Sequence, residues 1–371
     1  MKVWVLTSSR ADYGIYYPLL KRMHSDPFFK MKIIAFGTHS SKLHGYTLNK
    51  IIEDGFDVHC VSEFNLDGDT KKDIAESIGT TISKFANIWN QFDGDLVFAL
   101  GDRFEMFAAV TASVPFKIPI AHIHGGETTL GAIDNIFRHS ITLMSSIHFT
   151  ANDVYSKRVI ELTQNDKNVY TIGSLSLENI NELELYNIEA FYQIYNIDLK
   201  KSTILMTFHP ETVQVKENKY FINEINEVLN KLIEMYQIVI TLPNTDTDNL
   251  VVRESLIKFG GQVGSKVFLI ENFGSKGYFS CMKYCSFMMG NTSSGIIESA
   301  SLKKFNINLG DRQKGRLSSD NTIHCHINRK EILDAVKYIE NIGDFEGENK
   351  YYKAEPSKTI IEILKKIHNN D

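Results

Sequence analysis

Short apolar runs of four to six residues recur along the chain, each ending abruptly in polar or glycine residues and followed by a segment of helical period. In the first half the runs are 3–6, 32–36, 96–100, 118–123 and 147–150. After a polar stretch the series resumes at 203–208, 237–242, 266–270, 286–289 and 305–309. Strands that are apolar throughout and alternate with helices predict parallel sheets covered on both faces. Two such series predict two α/β domains. The polar segment 175–201 separates them, which sets an N-terminal domain at 1–174 and a C-terminal one at 175–355. The last segment, 358–369, is an amphipathic helix with Ile360, Ile361, Ile363, Leu364 and Ile367 on one face.

Composition narrows the class. A chain of 371 residues is long enough for two cores, and 43% apolar with 23% charged residues is ordinary for a soluble globular protein. The net charge of -5 gives no footprint for nucleic acid, so an anionic ligand must be met by local Arg, His and helix starts. No apolar run approaches the roughly 18 residues that span a bilayer. Met1 to Leu6 breaks at once into Thr7-Ser8-Ser9-Arg10 without a small-residue cleavage site, so it reads as a first strand rather than a signal peptide. Four scattered cysteines, Cys60, Cys281, Cys285 and Cys325, fit reduced thiols in a cytoplasmic protein.

In open parallel sheets ligands bind beyond the carboxyl ends of the strands. The first run ends in Ser8-Ser9-Arg10-Ala11-Asp12, where an arginine at a strand-to-helix turn reaches a phosphate, or else simply projects into water. The third ends in Gly101-Asp102-Arg103, where Asp102 is either a group facing the ligand or the N-cap of the next helix. The fourth ends in His122-Ile123-His124-Gly125-Gly126-Glu127. The glycines allow close backbone approach, and desolvation would raise the pKa of Glu127 toward that of a general acid or base. His122 and His124 suggest a zinc pair only weakly, because no third ligand stands at a recognisable spacing. Asp134 and Arg138 share a helix face, either as an ordinary ion pair or as a second carboxylate held beside Glu127.

The second series ends its strands in His209-Pro210-Glu211, in Pro243-Asn244, in Gly290-Asn291-Thr292-Ser293-Ser294-Gly295 with Glu298, and in Gly310-Asp311-Arg312-Gln313-Lys314-Gly315-Arg316. His209 would donate to a phosphate or a leaving oxygen. Thr292, Ser293 and the helix that they open resemble a diphosphate nest, and Glu298 stands one turn on, where it would accept from ribose hydroxyls. Walker spacing is absent, and so is the glycine that an Asp246/Asp248 calcium loop would need.

These motifs, together with Thr7 to Gly14, Arg138 to Thr142 and His209 to Thr212, occur in the order of a known family. The chain resembles the hydrolysing UDP-N-acetylglucosamine 2-epimerases of bacterial sialic-acid synthesis and the epimerase half of the bifunctional animal enzyme. The resemblance implies two Rossmann-like domains facing across a cleft, as in the GT-B glycosyltransferases, with the helix at 356–371 returning to the first domain. It implies conversion of UDP-GlcNAc and water to N-acetylmannosamine and UDP, without NAD or an essential metal, by a homodimer or homotetramer. Asp102, Glu127 and Asp134, with His209, form the implied catalytic set. Arg10, His209, Asn244, Phe273, Thr292, Ser293, Glu298 and Arg312 are the implied UDP contacts, with Arg103 and Arg138 beside the substrate. Two adjacent aspartates of some relatives read Asp134-Asn135 here, so position 135 receives no acid/base role.

Alternatives stay open from sequence. A close branch acts on UDP-N,N'-diacetylbacillosamine, and no residue distinguishes a 4-hydroxyl from a 4-acetamido pocket. A non-hydrolysing epimerase, a GT-B glycosyltransferase and a non-catalytic UDP-sugar sensor share much of the pattern. The Gly-Gly-Glu and Arg-His-Ser motifs favour hydrolysis.

Overall fold

The computed structural model describes residues 1–40, 46–61, 70–211, 217–243 and 249–370. Two parallel sheets organise the chain. The first contains β1 (Lys2–Thr7), β2 (Lys30–Ala35), β3 (Val58–Cys60), β4 (Leu96–Leu100), β5 (Ile120–Ile123), β6 (Ile147–Thr150) and β7 (Val169–Thr171), in the order β3-β2-β1-β4-β5-β6-β7. The second contains β8 (Thr203–Thr207), β9 (Gln237–Thr241), β10 (Val267–Ile270), β11 (Phe287–Gly290), β12 (Asn306–Leu309) and β13 (Thr322–Cys325), in the order β10-β9-β8-β11-β12-β13. The expected α/β architecture is therefore present, and each of the ten apolar runs is a strand. The strands that the pattern did not announce, β3, β7 and β13, lie at sheet edges. They are short and half-exposed, so they carry no continuous apolar run.

Strand order locates the chemistry within each sheet. The chain leaves β1 in one direction to reach β2 and later returns to its other side with β4, and it repeats this around β8 with β9 and β11. Such reversals open a crevice at the strands' carboxyl ends. The turns after β1 and β4 carry Arg10 and Asp102; those after β8 and β11 carry His209 and Thr292.

The chain divides into two compact units. The first comprises Met1–Glu127, Asp134–Asn179 and the chain from Tyr351 onward. Alternate residues of β1 serve its two faces: Val3 and Val5 pack in one apolar cluster, Trp4 and Leu6 in the other. The last helix, Pro356–Asn370, buries Ile360, Ile361 and Leu364 in the first of these clusters. Its start is fixed by Glu178, whose carboxylate accepts from Ser357 N–H and Oγ–H at 2.8 and 2.7 Å and pairs with Arg22 at 3.1 Å. That anchorage carries this unit past residue 174, through Asn179, whose side chain donates to the Gly14 carbonyl at 3.0 Å.

The second unit comprises Thr128–Ile133 and Ile180–Lys350. Its core gathers around Ile204, Met206, Ile238, Ile240 and Ile307. The short segment Thr128–Ile133, which sequence placed in the first domain, packs on the loop after β12. There Leu130 N–H donates to the Lys314 carbonyl at 2.9 Å, and Gly131 lies against the Asp311 carbonyl. The four cysteines are free thiols. Among the described residues no helix is long and apolar enough to cross a membrane.

Both tryptophans of the chain, Trp4 and Trp89, are buried in the first unit, so their fluorescence reports its unfolding. Leu364→Ala should destabilise that unit by about 2–5 kcal/mol in urea melts, the usual cost of a buried Leu-to-Ala cavity. A change below about 0.5 kcal/mol, the level of an exposed site, would refute the packing of this helix.

Three of the buried histidines of the first unit, His39, His122 and His148, have their pKa pushed down by burial. Burial holds His122 down at about 3, and His39 and His148 at about 4, so all three are neutral in the folded unit near pH 7. In the unfolded chain they take protons near 6.5. Between those limits the unfolded state binds more protons, so stability is full above about 6.5 and drains as pH falls toward 4. Tryptophan-monitored stability should decline over that window, by up to ~1.4 kcal/mol per pH unit for each histidine. His148→Gln should flatten the decline; a stability that stays level from pH 6.5 to 4 would overturn this account.

Candidate active site

Four segments of the first unit converge on one guanidinium. The loop after β4 contributes Asp102, the end of β5 contributes His124, the following turn Glu127, and the helix Asp134–Leu143 contributes Arg138. Arg138 pairs with Asp102 through Nη2 and faces Glu127 Oε2 through Nη1 at 3.5 Å; Nη1 also donates to the His124 carbonyl at 3.0 Å. Glu127 is fully buried and Arg138 nearly so, while the Asp102 carboxyl keeps about a quarter of its surface open. Burying such charges is tolerable only because opposite signs meet.

The helix after β4 starts at Phe104, is capped by the backbone of Arg103, and receives no side-chain cap. The reading of Asp102 as an N-cap therefore fails, and its carboxylate goes to Arg138. The carboxylates that Arg138 joins are Asp102 and Glu127; sequence had put Asp134 in that place. Asp134 instead opens the helix and is half-buried there, while Arg138 turns inward from its next turn. Arg103 forms a two-pronged pair with buried Glu105 at 2.7 and 3.2 Å, so its charge is matched within the unit.

The histidines divide the work of placing these groups. His122 faces the Gly101 carbonyl with Nε2 at 2.8 Å and Thr142 Oγ1 with Nδ1 at 3.1 Å. A carbonyl only accepts, so Nε2 carries the proton, and the ring ties β5 to the turn that presents Asp102. With both nitrogens engaged it is no zinc ligand. His124 points elsewhere: its Nδ1 is 3.4 Å from Glu127 Oε1 and its Nε2 3.5 Å from Ser174 Oγ. The paired glycines are required by crowding. A Cβ on Gly125 would sit 2.9 Å from His122 Nδ1, and Gly126 adopts a positive φ of 77° against the Tyr155 carbonyl.

At the carboxyl end of β1, Ser9 Oγ accepts from Asp12 N–H at 3.3 Å and caps the helix Arg10–Ser25. Asp12 in turn accepts from Ser8 N–H and Oγ–H at 3.0 and 2.6 Å. Arg10 is the first residue of that helix, exposed and without an ion pair to any described residue.

The second unit assembles a separate constellation from its own strand ends. Asn291 is the organiser: its Oδ1 accepts from His209 N–H at 2.7 Å and its Nδ2 donates to the His209 carbonyl at 2.8 Å. Its own carbonyl accepts from Gln313 Nε2 at 2.8 Å. Gln313 Oε1 accepts from Arg316, and Arg312 donates to the Pro210 carbonyl at 2.9 Å. Glu211 is buried, which raises its pKa, yet it accepts from Asp311 N–H at 2.7 Å and so fixes the Arg312 loop. Gly290 has a φ of 141° and abuts the Thr207 carbonyl where β8 and β11 run together, leaving no room for a Cβ.

Thr292 caps the short helix Ser293–Ile297 by accepting from Ser294 N–H at 3.4 Å; Ser293 is exposed, and buried Glu298 ends the helix. Burial raises the pKa of the nearby Tyr278 hydroxyl. His209 and the Arg312 loop are thus tied into one network, with Thr292 next to Asn291 in the chain. Phe273 is not part of it. Its ring packs against Phe191 and Tyr195, and its carbonyl accepts from Tyr195 Oη at 3.0 Å. Asn244 lies outside the described residues, as do Asp246 and Asp248.

Glu105, His124, Tyr278, Asn291 and Gln313 were not singled out for these roles in the sequence. The signal for Asn291 and Gln313 was present, since both fall inside motifs read for their neighbours. Tyr278 lies mid-helix, where spacing suggests only core.

Comparison with known proteins accords with this geometry. Residues 21–365 match the family described as UDP-N-acetylglucosamine 2-epimerase. A hydrolysing GDP/UDP-N,N'-diacetylbacillosamine 2-epimerase of Campylobacter jejuni is 34% identical, over 99% of this chain and 96% of its own. Polysialic acid biosynthesis protein P7 of Escherichia coli is 31% identical, over 98% and 93%. The UDP-GlcNAc 2-epimerase of Neisseria meningitidis, solved with UDP-GlcNAc bound, shares the fold with a TM-score of 0.82 at 19% identity, over 99% of this chain and all of that one. With a family match across most of its length, and relatives above 30% identity spanning nearly all of it, the chain belongs to the UDP-N-acetylglucosamine 2-epimerase family, as an enzyme of its hydrolysing kind.

Proposed function

We propose that the chain converts UDP-GlcNAc and water to N-acetylmannosamine and UDP, for synthesis of a sialic-acid-type sugar. The observation that carries this reading is the pair of carboxylates, Asp102 and Glu127, on one buried guanidinium. The C2 proton of the sugar is weakly acidic, so a positioned base is required. One of Asp102, Glu127 and Asp134 takes that proton; the C2–H electrons form the C1–C2 double bond, and the C1–O bond breaks to release UDP. Water then adds at C1, and a proton returns to C2 from the opposite face, which gives the manno configuration. Inversion needs proton donors on two faces, hence more than one carboxylate.

The second unit supplies the groups for the departing diphosphate. His209 and Arg312 face its developing charge, with Thr292 and Ser293 as hydroxyl donors, and Glu298 accepts from the ribose. Arg10, Arg103, Phe273 by its backbone and Asn244 complete the proposed contacts.

A second reading keeps the chemistry and changes the sugar. The Campylobacter relative is named for a diacetylbacillosamine substrate, which favours UDP-N,N'-diacetylbacillosamine; a Neisseria meningitidis relative, 25% identical over all of this chain, is named for UDP-N-acetylglucosamine, which favours UDP-GlcNAc. Side-by-side turnover of the two UDP-sugars decides between them, with at least tenfold preference in kcat/KM expected for one. Release of UDP without an acceptor or partner protein should accompany either. A requirement for an acceptor would mean a glycosyltransferase instead.

Glu127→Gln should lower turnover by about 10²–10⁴-fold while UDP still binds. Near-normal turnover would remove Glu127 from the mechanism. Reaction in deuterated water should place deuterium at C2 of the product, and a product without it would exclude proton exchange at that carbon.

A further inference from the structure

His124 stands where β5 meets the glycine turn, and it is a non-glycine residue with a φ of 62°. That left-handed conformation costs energy for a residue with a Cβ, and it persists only where surrounding contacts over-determine it. Gly125, its neighbour, would have adopted it freely. The His124 N–H donates to the Phe149 carbonyl at 2.9 Å, and its carbonyl accepts from Arg138. Its ring is buried, with Nδ1 3.4 Å from Glu127 Oε1 and Nε2 3.5 Å from Ser174 Oγ. Ser174 Oγ is itself 2.9 Å from Ser176 Oγ, and both serines are buried.

The ring is held from two sides: its Nε2 lies against the Ser174 hydroxyl, and its Nδ1 stands beside Glu127 Oε1. Glu127 is thereby flanked on both sides, by His124 at Oε1 and by Arg138 at Oε2. A buried carboxylate with a polar group packed beside each oxygen is restricted in its rotation by both.

We propose that His124 is a positioning residue for Glu127: the strained backbone holds its imidazole beside Oε1, and Ser174 steadies the ring at its other nitrogen. The reading rests on Glu127 as an acid/base group of the reaction, and it adds a residue that touches Glu127 rather than the sugar. Loss of the contact should act on the chemical step and leave nucleotide affinity alone, because the UDP groups proposed for the second unit are untouched.

The test uses two substitutions that both tolerate a positive φ. His124→Asn keeps a polar amide close to the position of Nδ1, and asparagine accepts the left-handed region; His124→Gly relieves the strain but removes the polar group beside Oε1. Full-length variants are checked for unchanged tryptophan-monitored stability and UDP affinity, then assayed on UDP-GlcNAc and on the diacetylated UDP-sugar. His124→Gly should lose about a hundredfold in kcat with KM within about twofold, the scale expected when a reacting group is displaced by about an ångström. His124→Asn should retain kcat within about tenfold of the parent. Ser174→Ala should lower kcat in the same direction as His124→Gly.

Equal kcat for the Gly and Asn variants, or a loss confined to KM, would overturn the proposal. Glu127→Gln separates the two levels. If it is inactive while His124→Gly is normal, only the positioning role fails; if Glu127→Gln is active, the reading on which it rests fails first.

Discussion

The first unit depends on a single buried cation. Arg138 reaches Asp102 from the loop after β4, Glu127 from the turn after β5, and the carbonyl of His124 at the end of that strand. These groups lie on separate segments, so the guanidinium fastens two strand ends to the helix that supplies it. Without the cation, Glu127 would be a buried anion facing another across the same space, which the interior does not tolerate. A lysine would not replace it, because a point charge lacks the planar fork that serves both carboxylates and a carbonyl at once. The same arrangement leaves more negative than positive charge at the site. An acid/base group has to exchange a proton, and full neutralisation by fixed cations would defeat that.

The second unit solves a different problem with neutral groups. Asn291 bonds both backbone groups of His209, as a neighbouring strand would, and so fixes that residue at the end of β8. Gln313 and Glu211 then fix the loop carrying Arg312: Gln313 donates to the Asn291 carbonyl after β11, and Glu211, after β8, accepts from the Asp311 N–H of that loop. Arg312 itself donates to the Pro210 carbonyl, whereas Arg103 is paired with Glu105 within the first unit. A cation held on this loop suits a group proposed to meet charge that appears only as the diphosphate departs.

Much of this was legible in the chain because parallel sheets write themselves as apolar runs and ligand groups collect at their carboxyl ends. Glu127, Asp102, His209 and Arg312 each follow such a run directly. The failures share one cause. Period and spacing describe neighbours along the chain, and Arg138 was therefore matched with Asp134, one turn away, rather than with carboxylates from two other segments. Phe273 entered through resemblance alone, and the structure spends its ring on Phe191 and Tyr195. Thr128–Ile133 carries no strand or helix signal, so nothing in its composition announced that it packs with Asp311 and Lys314.

His124 shows how far a local rule can mislead and then inform. Histidine beside two glycines invites the assumption that the glycines carry the unusual backbone. In the structure Gly126 has a positive φ and Gly125 does not; Gly125 is required because a side chain there would strike His122 and Thr142. The remaining left-handed position falls to a residue that pays a conformational cost for it, and the ring so displayed ends beside the most deeply buried carboxylate of the site. A glycine at 124 would have been the less strained choice for the turn alone. That a nitrogen-bearing side chain stands there instead makes the turn part of the chemistry, and it places the determinants of Glu127 as much in the backbone of β5 as in the helix that bears Arg138.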